Sequence, residues 1–299
     1  MSDFLQGKRG KSDLLRKLIA GRETIVAPGA YDALTARIIA QAGFPAVYMT
    51  GFGTVASLLG RPDVGLLTMS EMVDNARRMA QAIDVPLIAD ADTGYGNPLN
   101  VIRTVKEYEL AGVSAIHIED QITPKKCGHM ENKQVVSTSE MMEKILAAIE
   151  ARISPDFLII ARTDARAVEG LDSALRRARK YREAGADVLF VEAPQSEQEV
   201  ARVASELADA PLLFNFAEGG KTPPIPLDRL RELGYRIVIF PIGALLAAAT
   251  AVRKLAAEIH AHGTPIALLS EMISFQEFNQ MIGLSEIRQL ERKFPSKTA

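Results

Sequence analysis

Short apolar runs alternate along the chain with longer amphipathic stretches. The runs are TIVAPG (24–29), AVYMTG (46–51), PLIADADT (86–93), AIHIED (115–120), FLIIARTD (157–164), VLFVEAP (188–194), PLLFNFAE (211–218) and RIVIFPIG (236–243). They are nearly continuous in Val, Ile, Leu and Phe rather than alternating with polar residues. That pattern predicts strands buried on both faces of a parallel sheet. Between them, YDALTARIIAQAG, RTVKEYELAG and DSALRRARKYREAG carry helical apolar spacing and end at Gly43, Gly112 and Gly185, where glycine closes a helix. An Ala-Gly pair and then a strand, at 42–43, 111–112 and 184–185, is the short return of a strand–helix repeat. About eight such units in 299 residues predict an α/β fold, a (β/α)8 TIM-type barrel over 1–265. An open doubly wound sheet is the alternative. The segment SEMISFQEFNQMIGLSEIRQLERKF (270–294) reads as further helices with no strand to cover. A C-terminal helical tail over 266–299 is therefore expected, packed on the barrel's end or swapped onto a neighbouring subunit.

Composition narrows the classes. With 47% hydrophobic and 24% charged residues, the chain has the make-up of a soluble globular protein. A formal charge of -2 gives no general attraction to nucleic acid or to an acidic membrane surface. The most apolar stretch, IVIFPIGALLAAATAV, is interrupted by Pro241 and Gly243 and reads as a strand followed by a helix, not a membrane span. The opening MSDFLQGKRGKSDLLRKLIAG mixes acids and bases and makes a poor secretory signal. One cysteine, Cys127, cannot form an intramolecular disulfide, which suits a reducing cytoplasm.

Candidate chemistry follows from position. Barrels place their chemistry at the C-terminal ends of strands, and there this chain carries Thr50, Asp90, Asp92, Glu119, Asp120, Arg162, Asp164, Glu192, Asn215 and Glu218. Asp90 and Asp92 are two apart, which puts both on one side of an extended strand, and Glu119 ends the next strand. Three carboxylates with no soft donor suit a hard divalent ion, Mg2+ or Mn2+. MTGFGTVAS fits G-x-G-x-x-A but follows the second strand. Thr50 with the amides of Gly51 and Phe52 reads better as a cradle for a substrate carboxylate. His117, inside an apolar strand, reads as a core histidine. RPDVG (61–65) and KKCGHMENK (125–133) lie in loops long enough to be lids. Cys127 follows two lysines and precedes His129 by two residues, a basic setting that favours a working thiolate. A solvated charge run is the plainer reading of Lys125 and Lys126.

These motifs resemble the isocitrate lyase / phosphoenolpyruvate mutase superfamily. KKCGH (125–129) is similar to the signature of its carbon–carbon lyases, and DADTGYGN (90–97), IEDQ (118–121), ARTDA (161–165) and FVEAP (190–194) are similar to other family blocks. The resemblance runs from about Pro28 into the tail. It implies a (β/α)8 barrel with a swapped C-terminal helix, a homotetramer, and Mg2+ held by Asp90, Asp92 and Glu119 with Asp63 nearby. It implies that Thr50, Gly51 and Phe52 bind the carboxylate of a pyruvoyl unit and that Arg162 holds the 2-oxygen. His129, Glu192 and Asn215 would line the pocket, with Pro241 beside them. Tyr48 would be the partner of the hydroxyl proton and Cys127 the general acid.

The activity implied is cleavage of a 2-hydroxy di- or tricarboxylate, 2,3-dimethylmalate or 2-methylisocitrate, to pyruvate plus propionate or succinate. GGKTP within NFAEGGKTPPIP (215–226) and the tail favour the dimethylmalate side. Phosphoenolpyruvate mutases lack the Cys-Gly-His pattern, and carboxyphosphonoenolpyruvate mutase is a nearer rival. Oxaloacetate hydrolases of the superfamily tend to carry serine where this chain has Pro241. A Schiff-base aldolase would need a lysine within a strand, and no predicted strand contains one. A small-acid-binding protein would need no thiol on a loop.

Overall fold

The structure, a computed structural model, describes residues 10–128 and 130–294. Each apolar run forms a strand: β1 (Ile25–Ala30), β2 (Val47–Met49), β3 (Leu87–Asp90), β4 (Ala115–Glu119), β5 (Leu158–Thr163), β6 (Val188–Val191), β7 (Leu212–Asn215) and β8 (Ile237–Phe240). Neighbours pair in parallel in chain order, and β8 closes on β1 with Ile25 opposite Ile237 and Pro28 opposite Phe240. The expected (β/α)8 barrel is thus what forms. A closed parallel sheet has one face in the barrel and one under helices, so both faces need apolar side chains. Along β4, Ala115 joins the inward cluster, while Ile116 and Ile118 join the outer one. Period two then turns His117 and Glu119 inward as well.

Helices α1 (Lys11–Ala20), α2 (Ala33–Gln41), α3 (Gly51–Leu59), α4 (Met69–Ala82), α5 (Pro98–Leu110), α6 (Thr138–Ala151), α7 (Ala165–Glu169), α8 (Leu171–Glu183), α9 (Glu197–Glu206) and α10 (Leu227–Glu232) surround the strands. Their starts are written locally. Asp32 accepts from Thr35 N at 2.7 Å, and Thr68 with Glu71 and Asn97 with Asn100 form reciprocal capping boxes. At the end of α5, Gly112 takes φ 88°, and the Val113 amide turns back to the Tyr108 carbonyl at 3.2 Å. A side chain there would be strained, which is why the Ala-Gly return recurs.

Leu15 of α1 is fully buried with Ile25, Ala27, Ala46 and Ile237 of the barrel interior. Lys11 Nζ donates to the Ala80 and Ile83 carbonyls at the end of α4 (2.6 and 2.7 Å), fastening α1 to the face where the strands begin. One end of the barrel is therefore filled with apolar side chains, which leaves the other for chemistry.

The described residues group into two compact units, 10–244 and from Leu245 onward. The second holds most of α11 (Gly243–His262), a 3-10 turn (Ile266–Glu271), α12 (Phe275–Met281) and α13 (Leu284–Lys293). Lys254 pairs with Glu271 at 2.7 Å within it, and Val252, Ile266 and Phe275 are exposed.

Leu15→Ala should lower unfolding free energy by about 2–5 kcal/mol through lost burial and a residual cavity. Urea denaturation measures it; a change under about 1 kcal/mol would mean that α1 does not seal the barrel interior.

Candidate active site

Charge gathers where the strands end. β3 places Asp90 opposite His117, β4 places Glu119 opposite Arg162, and β5 places Arg162 opposite Phe190. A layer of rings floors this region. The Tyr48 and His117 rings stack with centroids 5.8 Å apart, His117 meets the Phe190 edge at 5.8 Å, and the Arg162 guanidinium lies 5.2 Å above Phe190. The Tyr48 hydroxyl is 2.8 Å from His117 Nε2, and that nitrogen is 3.5 Å from Asp90 Oδ1. Burial, reinforced by Asp90, holds the Tyr48 phenol well above its ordinary range. Tyr48 therefore enters any reaction as a neutral hydroxyl. Burial pushes the His117 imidazole down, against the pull of Asp90.

Arg162 is the centre of the ionic layer. Its Nε and Nη2 donate to Asp164 at 2.9 and 3.1 Å, Nε lies 3.3 Å from Glu119, and Nη1 lies 3.8 Å from Glu192. Asp164 is fixed from behind. Its amide donates to Asp120 Oδ1 at 2.9 Å, and Asp120 also accepts from Thr163 and Tyr181 at 2.7 Å each. Burial would raise the Asp164 carboxyl, but Arg162 and Lys133 bring it below its usual value. Burial pushes Glu119 well up, and Arg162 only partly opposes this.

Asp90 and Asp92 meet by a route other than the expected one. β3 stops at Asp90, and Asp92 sits beyond it at φ 46°, so strand alternation does not apply. A left-handed turn brings the Asp92 amide onto Asp90 Oδ1 at 2.9 Å, holding a conformation that costs a non-glycine residue on the order of 1 kcal/mol. Lys125 joins the group. Its Nζ bonds Asp63 Oδ2 at 2.7 Å and lies 2.8 Å from Asp92 Oδ1, close enough to pair by charge but not aligned as a hydrogen bond. Lys125 is thus buried and ionic, not part of a solvated run, while Lys126 is only half-buried. Four carboxylates outweigh the cost of burying the Lys125 ammonium, which stays firmly protonated.

The loop after β4 lies over this layer. The Cys127 amide donates to the Asp63 carbonyl at 3.2 Å, and the thiol residue is half-buried. A Cβ on Gly128 would stand 2.5 Å from Arg162 Nη2 and 2.7 Å from Glu192, so the loop backbone rests directly on that pair and only glycine fits. His129, expected beside it, lies outside the described residues.

Thr50 caps α3, accepting from Gly53 N at 3.2 Å. The amides of Gly51 and Phe52 are first-turn groups without an intrahelical acceptor, a natural seat for a carboxylate. A side chain on Gly51 would run into Asp90, so seat and acid adjoin. Asn215 donates to both Glu192 oxygens at 3.3 Å. Pro241 packs its backbone on Gly29 across the β1–β8 seam, leaving no room for a Cβ on that glycine. Glu218, one of the strand-end acids, caps the Ile242 and Gly243 amides at 3.1 and 2.8 Å and is structural.

Sequence reasoning passed over His117, Lys125 and Lys133. His117 is buried as expected, yet it touches both Tyr48 and Asp90. The available signal was its parity with Glu119 along β4.

Six buried carboxylates, Asp63, Asp90, Asp92, Glu119, Asp164 and Glu192, share this region with three buried cations, Lys125, Lys133 and Arg162. Buried charge demands compensation. Asp63 Oδ1 and Glu119 Oε1 are buried oxygens without a hydrogen-bond partner. Such hard, under-compensated donors fit a divalent cation of the Mg2+ class. Among the described residues no three acidic, His or Cys side chains converge tightly enough to ligate an ion by themselves. Water would complete its shell, as Mg2+ commonly requires.

Ionic groups buried at the strand ends, an anion seat beside them and a loop above define an enzyme of the barrel class. The chain belongs to the phosphoenolpyruvate mutase / isocitrate lyase superfamily. The model of the phosphoenolpyruvate phosphomutase family matches residues 15–260. A 2,3-dimethylmalate lyase of Eubacterium barkeri is 49% identical over 280 residues, covering 94% of this chain and 96% of that one. A 2-methylisocitrate lyase of Aeropyrum pernix is 44% identical over 284 residues, covering 95% and 91%. Among solved structures, a 2,3-dimethylmalate lyase superposes with a TM-score of 0.92 at 40% identity, covering 97% of both chains. An oxaloacetate acetylhydrolase bound to 3,3-difluorooxalacetate also gives 0.92, at 38% identity, covering 97% of this chain and 99% of that one. A phosphonopyruvate hydrolase in complex with oxalate and Mg2+ gives 0.88 at 32% identity, covering 96% and 99%.

Burial pushes the Asp92 carboxyl up, Lys125 opposes, and Asp90 and Asp63 add to the rise, leaving it at about 6. A pKa raised by folding contributes stability that is present below the unfolded value of about 3.9 and lost as pH rises through the folded one. In EDTA, Asp92→Asn should therefore gain on the parent by up to about 3 kcal/mol between about pH 4 and pH 7. Urea denaturation at both ends checks it; a pH-independent difference would contradict the assignment.

Proposed function

We propose that this protein is a divalent-cation-dependent carbon–carbon lyase. It cleaves a 2-hydroxy di- or tricarboxylate, 2,3-dimethylmalate or 2-methylisocitrate, to pyruvate plus propionate or succinate. The observation that carries this reading is the seating of the Cys127–Gly128 backbone against Asp63, Arg162 and Glu192. It brings the chain's one thiol to the edge of the ionic layer where a 2-oxygen would be held.

The Gly51 and Phe52 amides bind the substrate's 1-carboxylate, and Arg162 turns its guanidinium to the 2-oxygen. Tyr48, hydrogen-bonded to His117 Nε2, takes the proton leaving the 2-hydroxyl as it passes its own to that imidazole nitrogen. The C2–C3 bond then breaks, its electron pair passing to the departing fragment as a carboxylate-stabilised carbanion. The Cys127 thiol supplies the proton that quenches it. Glu192, held by Asn215, lines the cavity, and the family resemblance gives His129 a part in the same chemistry. Pro241 stands at the β1–β8 seam, where a serine would suit the hydrolytic branch. Asp90, Asp92, Glu119 and Asp63, with water, would hold Mg2+, or Mn2+ in its place, which would supply positive charge for the 2-oxygen. The Mg2+ in the similar phosphonopyruvate hydrolase complex supports that choice.

The dimethylmalate substrate is favoured by the 49% identity with the Eubacterium barkeri lyase and by GGKTP (219–223). Likeness to the acetylhydrolase supports one second reading, hydrolysis of oxaloacetate to oxalate and acetate. The exposed Val252, Ile266 and Phe275 favour association of copies through the C-terminal helices, as in a homotetramer. Among the described residues no helix is long and apolar enough to cross a membrane. A reducing cytoplasm suits a single working thiol, and neither nucleic acid nor membrane is an expected partner.

A pyruvate-coupled assay over a panel of 2-hydroxy acids and oxaloacetate tests the reaction. 2,3-Dimethylmalate should turn over fastest; oxalate formed from oxaloacetate alone would install the hydrolase instead. EDTA should abolish turnover and Mg2+ restore it. Cys127→Ala should cut kcat by about 100-fold or more, in the range of a lost general acid; unchanged turnover would remove the thiol from the chemistry. Light scattering of the intact protein should give a mass of four chains, and a monomer would refute the assembly.

A further inference from the structure

Lys133 ends the loop that bears Cys127. Its ammonium donates to the Gly128 carbonyl within the loop and to Asp164 Oδ1, the latter at 2.6 Å. Both members of the ion pair are buried, with the Lys133 side chain 1% exposed and Asp164 fully enclosed. Asp164 at the same time grips Arg162 through two hydrogen bonds. One ammonium therefore ties the loop backbone, one residue beyond Cys127, to the carboxylate that orients the guanidinium. The opposite flank of the loop is tied separately. Lys125 reaches Asp63, and the Gln121 amide exchanges two hydrogen bonds with the Lys126 backbone at 2.8 and 3.0 Å. Cys127 and Gly128 lie between these two fastenings.

The geometry points to Lys133 as a positioning residue that latches the Cys127 loop onto the Arg162–Asp164 pair. It touches no reacting atom. It acts by fixing where the loop backbone lies, and through it where the neighbouring thiol is carried. Its partners define the fit: a carbonyl and a carboxylate oxygen converge on one flexible, three-donor cation, a task for which lysine's point charge serves. This role rests on the proposed function only in what Cys127 does afterwards.

The test therefore reads the thiol itself, without substrate. Iodoacetamide alkylation of Cys127, followed by intact mass, should be at least tenfold faster in Lys133→Met than in the parent, at a temperature where both are folded by circular dichroism. Met leaves Asp164 with one cation fewer, so the double variant Lys133→Met/Asp164→Asn is the control. If Lys133 latches the loop, the double variant recovers melting temperature but alkylates as fast as the single one. If Lys133 only neutralises Asp164, the double variant recovers slow alkylation, and the proposal fails. Equal alkylation in Lys133→Met and the parent also overturns it. Lys133→Arg should fall between the parent and Lys133→Met. Should the protein prove to lack lyase activity, these rates are unaffected, so the two readings fail separately. With turnover in hand, Lys133→Met should lower kcat more than it raises KM.

Discussion

Arg162 stands on the Phe190 ring and is shared by Asp164, Glu119 and Glu192. Much of the barrel mouth is arranged around that one guanidinium. Burying several carboxylates at one strand edge is unfavourable unless cations meet them, and removing one partner of a buried pair costs about 3–5 kcal/mol. The surrounding residues read as answers to this constraint. Asp120 holds Asp164 by its amide, Lys133 adds a second cation to Asp164, and Lys125 serves the Asp63–Asp92 side. The set remains negative overall, which makes it receptive to a divalent ion.

The same constraint explains the loop after β4. A flexible surface segment would not carry two buried lysines. Here Lys125 and Lys133 are drawn inward by acids on other elements, and the loop backbone follows them down until Gly128 touches Arg162 and Glu192. The buried lysines on either side of Cys127 and Gly128 hold that stretch of backbone against Asp63, Arg162 and Glu192. Relatives with different reactions share this fold closely, as the 0.92 superpositions with both a lyase and an acetylhydrolase indicate. Their differences in chemistry must then lie in local side chains and not in the fold.

The strands and the barrel were legible in the sequence because both sheet faces are apolar, so every strand announced itself as an unbroken run. Asp90, Glu119 and Arg162 were legible as charges at the ends of such runs. The Asp92 geometry was not, because it depends on a left-handed turn beyond β3, and a period-two argument ends where the strand does. Lys125 and Lys133 resembled surface lysines because their acidic partners, Asp63 and Asp164, lie 62 and 31 residues away. His117 was hidden by its apolar neighbours Ile116 and Ile118, which face the opposite side of β4. Local pattern identifies elements; pairing between loops and distant strands is decided only when the barrel closes.

The charge imbalance at the barrel mouth is tested most directly by thermal unfolding of the EDTA-treated protein as Mg2+ is added at constant ionic strength. A cation that completes the buried carboxylate set should raise the melting temperature by several degrees in a saturable way, since a ligand at a hundred times its Kd adds about 2.7 kcal/mol. The same titration on Asp92→Asn should give a weaker response. A melting curve indifferent to Mg2+ in the parent would mean that Lys125, Lys133 and Arg162 already balance the site, and the account of a cation-requiring barrel mouth would be wrong.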